Sequence, residues 1–172
     1  SAERIALHLL KANHDTNQQL AKAVLDAKSQ IRNCTRCGNY TEQDPCVICA
    51  GARRDQAMIC VVEGPNDILT LEKSATYSGV YHALMGKISP LNGIGPEQLR
   101  IAALIERVQR DKPREIILAL GAEVESEATA NYLAEQLMLY QHISNGSGHP
   151  GSFWLRLQRR QRRLGSKRYL RQ

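Results

Sequence analysis

The sequence predicts an α/β fold to which a small metal-binding module is attached. Two largely apolar runs, Ala57–Val62 and Glu115–Leu120, are typical of buried strands, and segments with helical spacing alternate with them. Alternation of strands and helices favours a parallel sheet that is covered by helices. Four closely spaced cysteines ahead of the first strand predict the metal-binding module.

Length and charge limit the class of protein. A chain of 172 residues can bury one moderate core with small appended modules, and it has no run of the roughly 18 apolar residues that a membrane span requires. Residues 153–172 hold eight lysines or arginines and no acid, and this segment produces the net charge of +6. Positions 1–152 carry 15 basic and 17 acidic residues, so the overall charge does not indicate nucleic-acid binding. We expect a soluble protein of a reducing, cytoplasmic setting with no membrane partner.

Two helices are expected ahead of the cysteines. Residues 2–11 have a helical pattern that needs a partner to cover its apolar side chains. A second helix is expected after Asp15, which is a suitable N-cap. Four apolar residues of this second helix fall on one face: Leu20, Val24, Ala27 and Ile31.

The cysteines form a CxxC–x8–CxxC cluster that predicts a structural zinc site. The four ligands expected are Cys34, Cys37, Cys46 and Cys49. Each CxxC pair turns two thiolates toward one ion, and two pairs complete a tetrahedral site with no open position for catalysis. Two disulfides, or unrelated thiols, are the alternative interpretation. The fifth cysteine, Cys60, lies in an apolar run and is expected to be a small buried residue.

The later elements alternate in the same way. A turn at Glu63–Asp67 and a short helix to about Lys73 are expected after the first strand. A stretch rich in glycine and proline then leads to Pro96, which suits the first turn of another helix. A last helix is predicted over Ser126–Leu137, after the second strand.

Acidic residues near the strand ends are the candidates for chemistry. Glu63 stands where the first strand breaks into a Gly-Pro turn, so its carboxylate is expected at the carboxyl edge of the sheet, where open α/β sheets bind ligands. Glu125 and Glu127 follow the second strand, and carboxylates at two adjacent strand ends could together hold a magnesium ion. Alternatively, these two glutamates are helix N-terminal acids that the helix dipole favours. The five histidines have no partner at metal-ligand or catalytic spacing, which predicts solvent or packing roles.

The composition of the sequence changes from Ser144 onward. A stretch rich in glycine and serine precedes the arginine-rich segment, and neither shows helical or strand periodicity. A disordered, solvated segment is one interpretation of this tail. A phosphate-binding arm with salt-dependent, sequence-independent affinity is the other.

Five segments occur in a characteristic order. They are residues 1–10, the four-cysteine cluster, Ile59–Asp67, Leu84–Pro96 and Val124–Ala130. Together they run from Ser1 to about Ile143, and their combination closely resembles the RecR family of bacterial recombination mediator proteins. The sequence after that point departs from the family pattern.

The resemblance implies a helix-hairpin-helix element, a four-cysteine zinc finger and a Toprim-like α/β sheet domain. It implies a protein that is not an enzyme and that binds single- and double-stranded DNA. Such proteins form homodimer or homotetramer rings and act in DNA repair after DNA damage. They work with RecO and RecF to help RecA load on single-stranded DNA gaps, in the bacterial cytoplasm at the nucleoid.

Residue roles follow from the same resemblance. Arg4 resembles a family phosphate contact, on what would be the second half of the helix-hairpin-helix element. Glu63 matches the strand-end glutamate of Toprim nucleases and topoisomerases, and Glu125-x-Glu127 stands in place of their Asp-x-Asp pair. The longer side chains change the geometry available to magnesium, which favours an acidic partner-docking edge over a catalytic site. A magnesium-dependent Toprim nuclease or phosphoryl-transfer enzyme, using the same three glutamates, is the alternative function.

These expectations divide the chain into four parts. Residues 1–32 are expected to form the partial helix-hairpin-helix element and a linker helix, and residues 33–52 the four-cysteine zinc finger. Residues 53–143 are expected to form the Toprim-like domain. Residues 144–172 are expected to form the atypical tail.

Overall fold

The computed structural model describes residues 1–145 and 154–157, with side chains described through residue 139. Its helices are α1 (Ala2–Lys11), α2 (His14–Gln30), α3 (Val47–Ala50), α4 (Pro65–Glu72), α5 (Ile101–Asp111) and α6 (Val124–Asn145). Its strands are β1 (Arg32–Asn33), β2 (Tyr40–Thr41), β3 (Asp55–Val62), β4 (Gly79–Ala83), β5 (Glu115–Leu118) and β6 (Trp154–Leu157). Two short 3-10 turns, Pro90–Asn92 and Pro96–Gln98, lie between β4 and α5.

The central sheet has four parallel strands in the order β4-β3-β5-β6. Cys60 in β3 is level with Tyr81 of β4 on one side and with Ile117 of β5 on the other. Because parallel strands of one sheet need crossover connections, α4 lies between β3 and β4 in the chain, and α5 lies between β4 and β5. This arrangement confirms the predicted α/β class and both predicted strands.

The two faces of the sheet bury separate apolar clusters. Alternate residues of a strand point to opposite faces, so Ile59 and Val61 lie on one face while Cys60 and Val62 lie on the other. Helices α5 and α6 cover the first face. Helix α4 and the four-cysteine module cover the second. Burial on both faces is why the predicted strands read as continuous apolar runs.

The four-cysteine module is small and irregular. Its strands β1 and β2 pair antiparallel over two residues each, with Arg32 opposite Thr41 and Asn33 opposite Tyr40. All four cysteines belong to the same buried cluster as Tyr81 and Ala83 of β4. The module and the sheet therefore share one core.

A buried arginine ties α5 to the edge strand β4. The side chain of Arg107 is almost fully buried, and its Nη1 donates a 2.7 Å hydrogen bond to the carbonyl oxygen of Tyr81. Its Nε lies 3.3 Å from Oδ2 of Asp111, one helical turn further on. Burial by itself raises the pKa of Asp111, but hydrogen bonds from Arg110 and Arg36 outweigh it and lower the pKa to about 2. Asp111 is therefore charged at neutral pH and balances the buried guanidinium.

Three helix starts differ from the sequence prediction. Helix α2 begins at His14, because the side chain of Asn13 accepts a 2.8 Å hydrogen bond from the amide of Thr16 and so serves as the N-cap in place of Asp15. Pro96 opens a 3-10 turn, and the extended backbone of Leu99 delays α5 until Ile101. The predicted last helix is present, but it begins earlier, at Val124.

Strands β4 and β6 were not predicted. All five residues of β4 are buried, but the sequence Gly-Val-Tyr-His-Ala has neither alternation nor a continuous apolar run. Strand β6 pairs with β5 inside the segment that we expected to lack strand periodicity, so that expectation is wrong for Trp154–Leu157. The rest of the tail, 146–153 and 158–172, lies outside the described residues, and both interpretations of it stay predictions.

Helices α1 and α2 present their apolar side chains to solvent. The side chain of Asn17 in α2 donates a 2.9 Å hydrogen bond to the carbonyl oxygen of Leu9 in α1, which joins the two helices. No residue of either helix is buried by the described part of the chain. Several of their large apolar residues are about half exposed or more: Ile5, Leu7, Leu10, Leu20, Val24 and Leu25. The predicted apolar face of α2 is thus an exposed face, and the helix-hairpin-helix assignment stays a prediction.

None of the helices in the described ranges is both long and apolar enough to cross a membrane.

We predict that Arg107→Met lowers the free energy of unfolding by about 3 kcal/mol, because it leaves the buried carbonyl of Tyr81 unpaired and removes a buried partner of Asp111. Arg110→Met is the matched control, since Arg110 also pairs with Asp111 but its side chain is 65% exposed. We expect this control to change stability by no more than about 0.5 kcal/mol. Urea unfolding of both variants measures the difference, and equal losses would contradict the burial argument.

Candidate metal centre and acidic sheet edge

The two CxxC turns bring the four cysteines together at the side of the sheet. Cys34 and Cys37 lie in the turn that follows β1, and Cys46 is the N-cap of the short helix α3 that carries Cys49. All four side chains are buried, and their sulfur atoms lie within 4.8 Å of one another. The cysteines are free thiols, so the disulfide alternative is not the arrangement in this structure.

Backbone amides point at the sulfur atoms. The amide of Asn39 donates to the sulfur of Cys37, and the amide of Cys46 donates to the sulfur of Cys34, each at 3.4 Å. The two turns are also joined through Asp44, whose Oδ1 accepts hydrogen bonds from the amide and hydroxyl of Thr35 at 3.0 and 3.1 Å. Such outer contacts orient metal ligands and stabilise their charged form.

The crowding of these thiols favours a bound cation. A hydrogen bond with Cys49, together with burial, raises the pKa of the Cys37 thiol well above its ordinary value. Burial raises the pKa of Cys46 to about 11. A divalent ion that takes the place of the thiol protons would remove both costs, because thiolates are the form that ligates metal. Four buried thiols in two CxxC turns fit zinc, and they leave no position for a reacting water.

The first cysteine turn lies directly against the edge strand β4. The amide of Ala83 donates a 2.8 Å hydrogen bond to the carbonyl oxygen of Cys37. Nη2 of Arg100 donates to the carbonyl oxygen of Thr35 at 2.6 Å. Gly38 has a φ of +80°, and a Cβ at this position would lie 3.2 Å from the Cβ of Ala83 in β4. The turn therefore favours glycine for its left-handed backbone conformation, in a place where little room is left beside the sheet.

Glu63 lies at the carboxyl edge of the sheet, immediately after β3, as the sequence predicts. Its Oε1 accepts a 2.6 Å hydrogen bond from the amide of Gly121, beyond the end of β5. Its own carbonyl oxygen accepts from the amide of Gly86, beyond the end of β4, at 2.9 Å. Glu63 thus links the segments that leave three neighbouring strands.

Glu125 lies in the first turn of α6 and holds the loop that follows β4. The hydroxyl of Ser89 donates to its Oε1, and Nζ of Lys87 lies 3.2 Å from its Oε2. The hydrogen bond from Ser89 and the interaction with Lys87 lower the pKa of this carboxyl. Lys87 also forms an ion pair with Glu123. The ammonium group of Lys87 therefore offsets the negative charge of Glu123 and Glu125.

Glu127 lies in the same first turn of α6 and is exposed. Among the described side chains, the four cysteines are the sole group of three or more ligands close enough to hold one metal ion. Glu63, Glu125 and Glu127 do not form such a group. The arrangement agrees with the interpretation of Glu125 and Glu127 as helix N-terminal acids, and it offers no support for the magnesium site.

The remaining predicted residues take separate positions. Arg4 is exposed on α1. His82 is buried in β4, where its Nε2 lies 2.9 Å from the carbonyl oxygen of Arg100, and burial lowers its pKa to about 4. The packing role predicted for histidine is confirmed for this one. Cys60 is buried as predicted, and burial raises the pKa of its thiol to about 12.

Several residues that organise these sites were not identified from the sequence. They are Arg36, Lys87, Ser89, Arg100, Arg107 and Asp111. Isolated charged or hydroxyl residues carry no periodic signal, and most of them also have a partner far away in the chain. The resemblance did include Lys87 and Ser89 within Leu84–Pro96, but it assigned them no role.

We predict that Cys46→Ser abolishes stoichiometric zinc binding and lowers the melting temperature, because metal binding and folding of a four-thiolate site are coupled. Cys60→Ala is the control, since Cys60 is buried in the same cluster but lies outside the group of ligands. Metal analysis by mass spectrometry should find one zinc per chain in the control and none in the variant. A Cys46→Ser protein that retains one zinc and melts normally would exclude this assignment.

Comparison with known proteins agrees with the fold and the metal centre. Residues 57–144 match the Toprim domain, and residues 31–51 match the four-cysteine zinc finger domain of RecR. The chain is 50% identical over 137 residues to Recombination protein RecR of Koribacter versatilis, which covers 80% of this chain and 69% of that protein. Recombination protein RecR of Moorella thermoacetica is 48% identical over the same shares of both chains.

A third relative, from Staphylococcus aureus, carries the same name and is 46% identical over 134 residues, which covers 78% of this chain and 68% of that protein. The relatives are named as recombination proteins and not after a catalysed reaction. The zinc finger match contains all four cysteines of the cluster, which assigns structural zinc to it. The chain belongs to the RecR family of recombination proteins.

Proposed function

We propose that this chain is a DNA-binding recombination mediator in DNA repair, which acts with RecO and RecF to help load RecA on single-stranded DNA gaps. The observation that carries the proposal is the 50% identity to Recombination protein RecR over 80% of the chain. All four cysteines would ligate the structural zinc. The protein would work in the bacterial cytoplasm at the nucleoid, as a homodimer or homotetramer ring around single- or double-stranded DNA.

The acidic edge, defined as Glu63, Glu125 and Glu127, is the proposed docking surface for RecO. Hydrogen bonds to Glu63 and Glu125 support this role, because fixed carboxylates lose little freedom when a partner binds. Two large apolar side chains near Glu125 add to the surface: Leu91 is 96% exposed and Val124 is 86% exposed. Exposed apolar anchors beside charged groups are typical of protein-docking surfaces, in which the charges set orientation and specificity.

Helix α1 is the proposed DNA contact. Arg4 is exposed, and an arginine at such a position can bind phosphate without reading the base sequence. The exposed apolar residues of α1 and α2, which the described part of the chain leaves uncovered, support burial against another copy in a ring. DNA binding and partner docking would then use opposite charges on different elements.

We predict that Glu127→Lys weakens RecO binding about tenfold or more and leaves DNA affinity within about twofold of the wild type, because reversed charge repels a basic partner. Arg4→Ala should have the opposite effect, with weaker DNA binding and unchanged RecO binding. Glu127 is the position to test, because Glu125 also holds Ser89 and Lys87 in place. Affinities are measured by fluorescence anisotropy with labelled DNA and with labelled RecO.

Glu135→Lys is the matched control, since Glu135 is an exposed glutamate two turns further along α6. It should bind both RecO and DNA as the wild type does. If Glu127→Lys reduced the two affinities equally, the acidic edge would not be a dedicated docking surface. If the wild-type chain bound neither DNA nor RecO, the proposed function itself would be wrong.

A further inference from the structure

The outer side of β4 is a sheet edge whose backbone groups bond to other described parts of the chain and not to a further strand. Gly79, Tyr81 and Ala83 alternate along the strand, and each has a backbone group bonded to something other than β3. The carbonyl oxygen of Gly79 accepts from Arg54 at 3.3 Å, and that of Tyr81 accepts from Arg107 at 2.7 Å. The amide of Ala83 donates to Cys37 at 2.8 Å. If they were left without these partners, such backbone groups would be a template for pairing with another strand.

The zinc module supplies the cover at the Ala83 end of this edge. Three contacts hold the first cysteine turn there, and we call them the turn clamp. They are the bond from the Ala83 amide to the Cys37 carbonyl, the bond from Arg100 to the Thr35 carbonyl, and the ion pair of Arg36 with Asp111 at 3.0 Å. Each of the three residues from Thr35 to Cys37 therefore has a bond to the sheet domain.

The second cysteine turn is held differently. Within the described part of the chain, its cysteines have one long hydrogen bond to the sheet domain, of 3.4 Å, from Gln56 to the carbonyl oxygen of Cys49. The two turns are joined to each other by the bonds of Asp44 to Thr35 and by the 3.4 Å bond from the Cys46 amide to the Cys34 sulfur, and a shared metal ion would add a stronger link. The position of the first turn thus depends both on the metal and on the sheet.

We propose that zinc binding and closure of the β4 edge are thermodynamically coupled through the turn clamp. Zinc holds the first turn in the conformation that places the Cys37 carbonyl oxygen against the amide of Ala83. The clamp in turn holds Cys37 in the position from which it ligates the ion. Such coupling is reciprocal: if zinc strengthens a contact of the clamp by some factor, that contact raises zinc affinity by the same factor. Loss of zinc uncovers the edge and leaves it free to pair with another strand.

Two adjacent amides allow a direct test. The Ala83 amide donates to the zinc module, whereas the Leu84 amide donates to the carbonyl oxygen of Val62 in β3 at 2.9 Å. Hydrogen exchange at Ala83 therefore reports on docking of the module, and exchange at Leu84 reports on the sheet. Their neighbouring positions make them matched probes within one molecule.

The first experiment measures amide exchange by NMR in the full chain, loaded with zinc and then stripped of zinc by a chelator. We expect exchange at Ala83 to rise at least about tenfold, while exchange at Leu84 changes by less than about twofold. Unchanged exchange at Ala83 would overturn the coupling. An equal rise at both amides would also overturn it, since that result means general loss of the fold.

The second experiment tests the reciprocal effect without touching a ligand. Arg36→Met removes one contact of the clamp, and equilibrium competition with a chromophoric chelator should show zinc affinity that is about fivefold weaker or more. Arg53→Met is the control, because Arg53 is an exposed arginine near the module that makes no ion pair in the described structure. Wild-type zinc affinity in Arg36→Met would overturn the proposal, whatever the RecO or DNA affinity of the protein.

Discussion

The packing of the first cysteine turn on the outer edge of β4 joins the zinc module to the sheet domain. A module of about 20 residues cannot bury a core of its own, so it needs a metal ion or a neighbour. This module uses both, because its four cysteines join the apolar cluster that contains Tyr81 and Ala83. The sheet gains a cover for its edge strand, and the module gains a surface on which to fold.

Charged side chains complete this junction where apolar packing cannot. Backbone groups at a sheet edge need hydrogen-bond partners once water is excluded, and Arg107 supplies one to Tyr81 from the interior side of α5. Asp111 then forms ion pairs with both the buried Arg107 and the partly exposed Arg36. A single carboxylate thus connects the core helix to the zinc module, and the buried arginine is never left without a counter-charge.

The carboxyl end of the sheet is organised by a different balance. Glu63 and Glu125 are engaged by an amide and a hydroxyl, and Lys87 compensates the charge of Glu123 and Glu125. The cysteine side chains of the zinc module are buried, whereas Leu91 and Val124 near the acidic edge are exposed to solvent. The metal centre is therefore structural, and partner docking at the acidic edge stays a proposal.

Features that depend on short-range spacing can be predicted from the sequence. Two CxxC turns specify a four-thiolate cluster, and apolar runs specify strands β3 and β5, because both signals arise within a few covalently linked residues. Three other features came from long-range packing: Gly79–Ala83 forms the edge strand, Trp154–Leu157 adds a strand beyond β5, and the apolar face of α2 stays exposed in the described structure. Long-range packing also decided the pairings of Arg36 with Asp111 and of Lys87 with Glu125, which join residues 75 and 38 positions apart. Such pairings follow from which edges of the sheet meet, and no local periodicity encodes that.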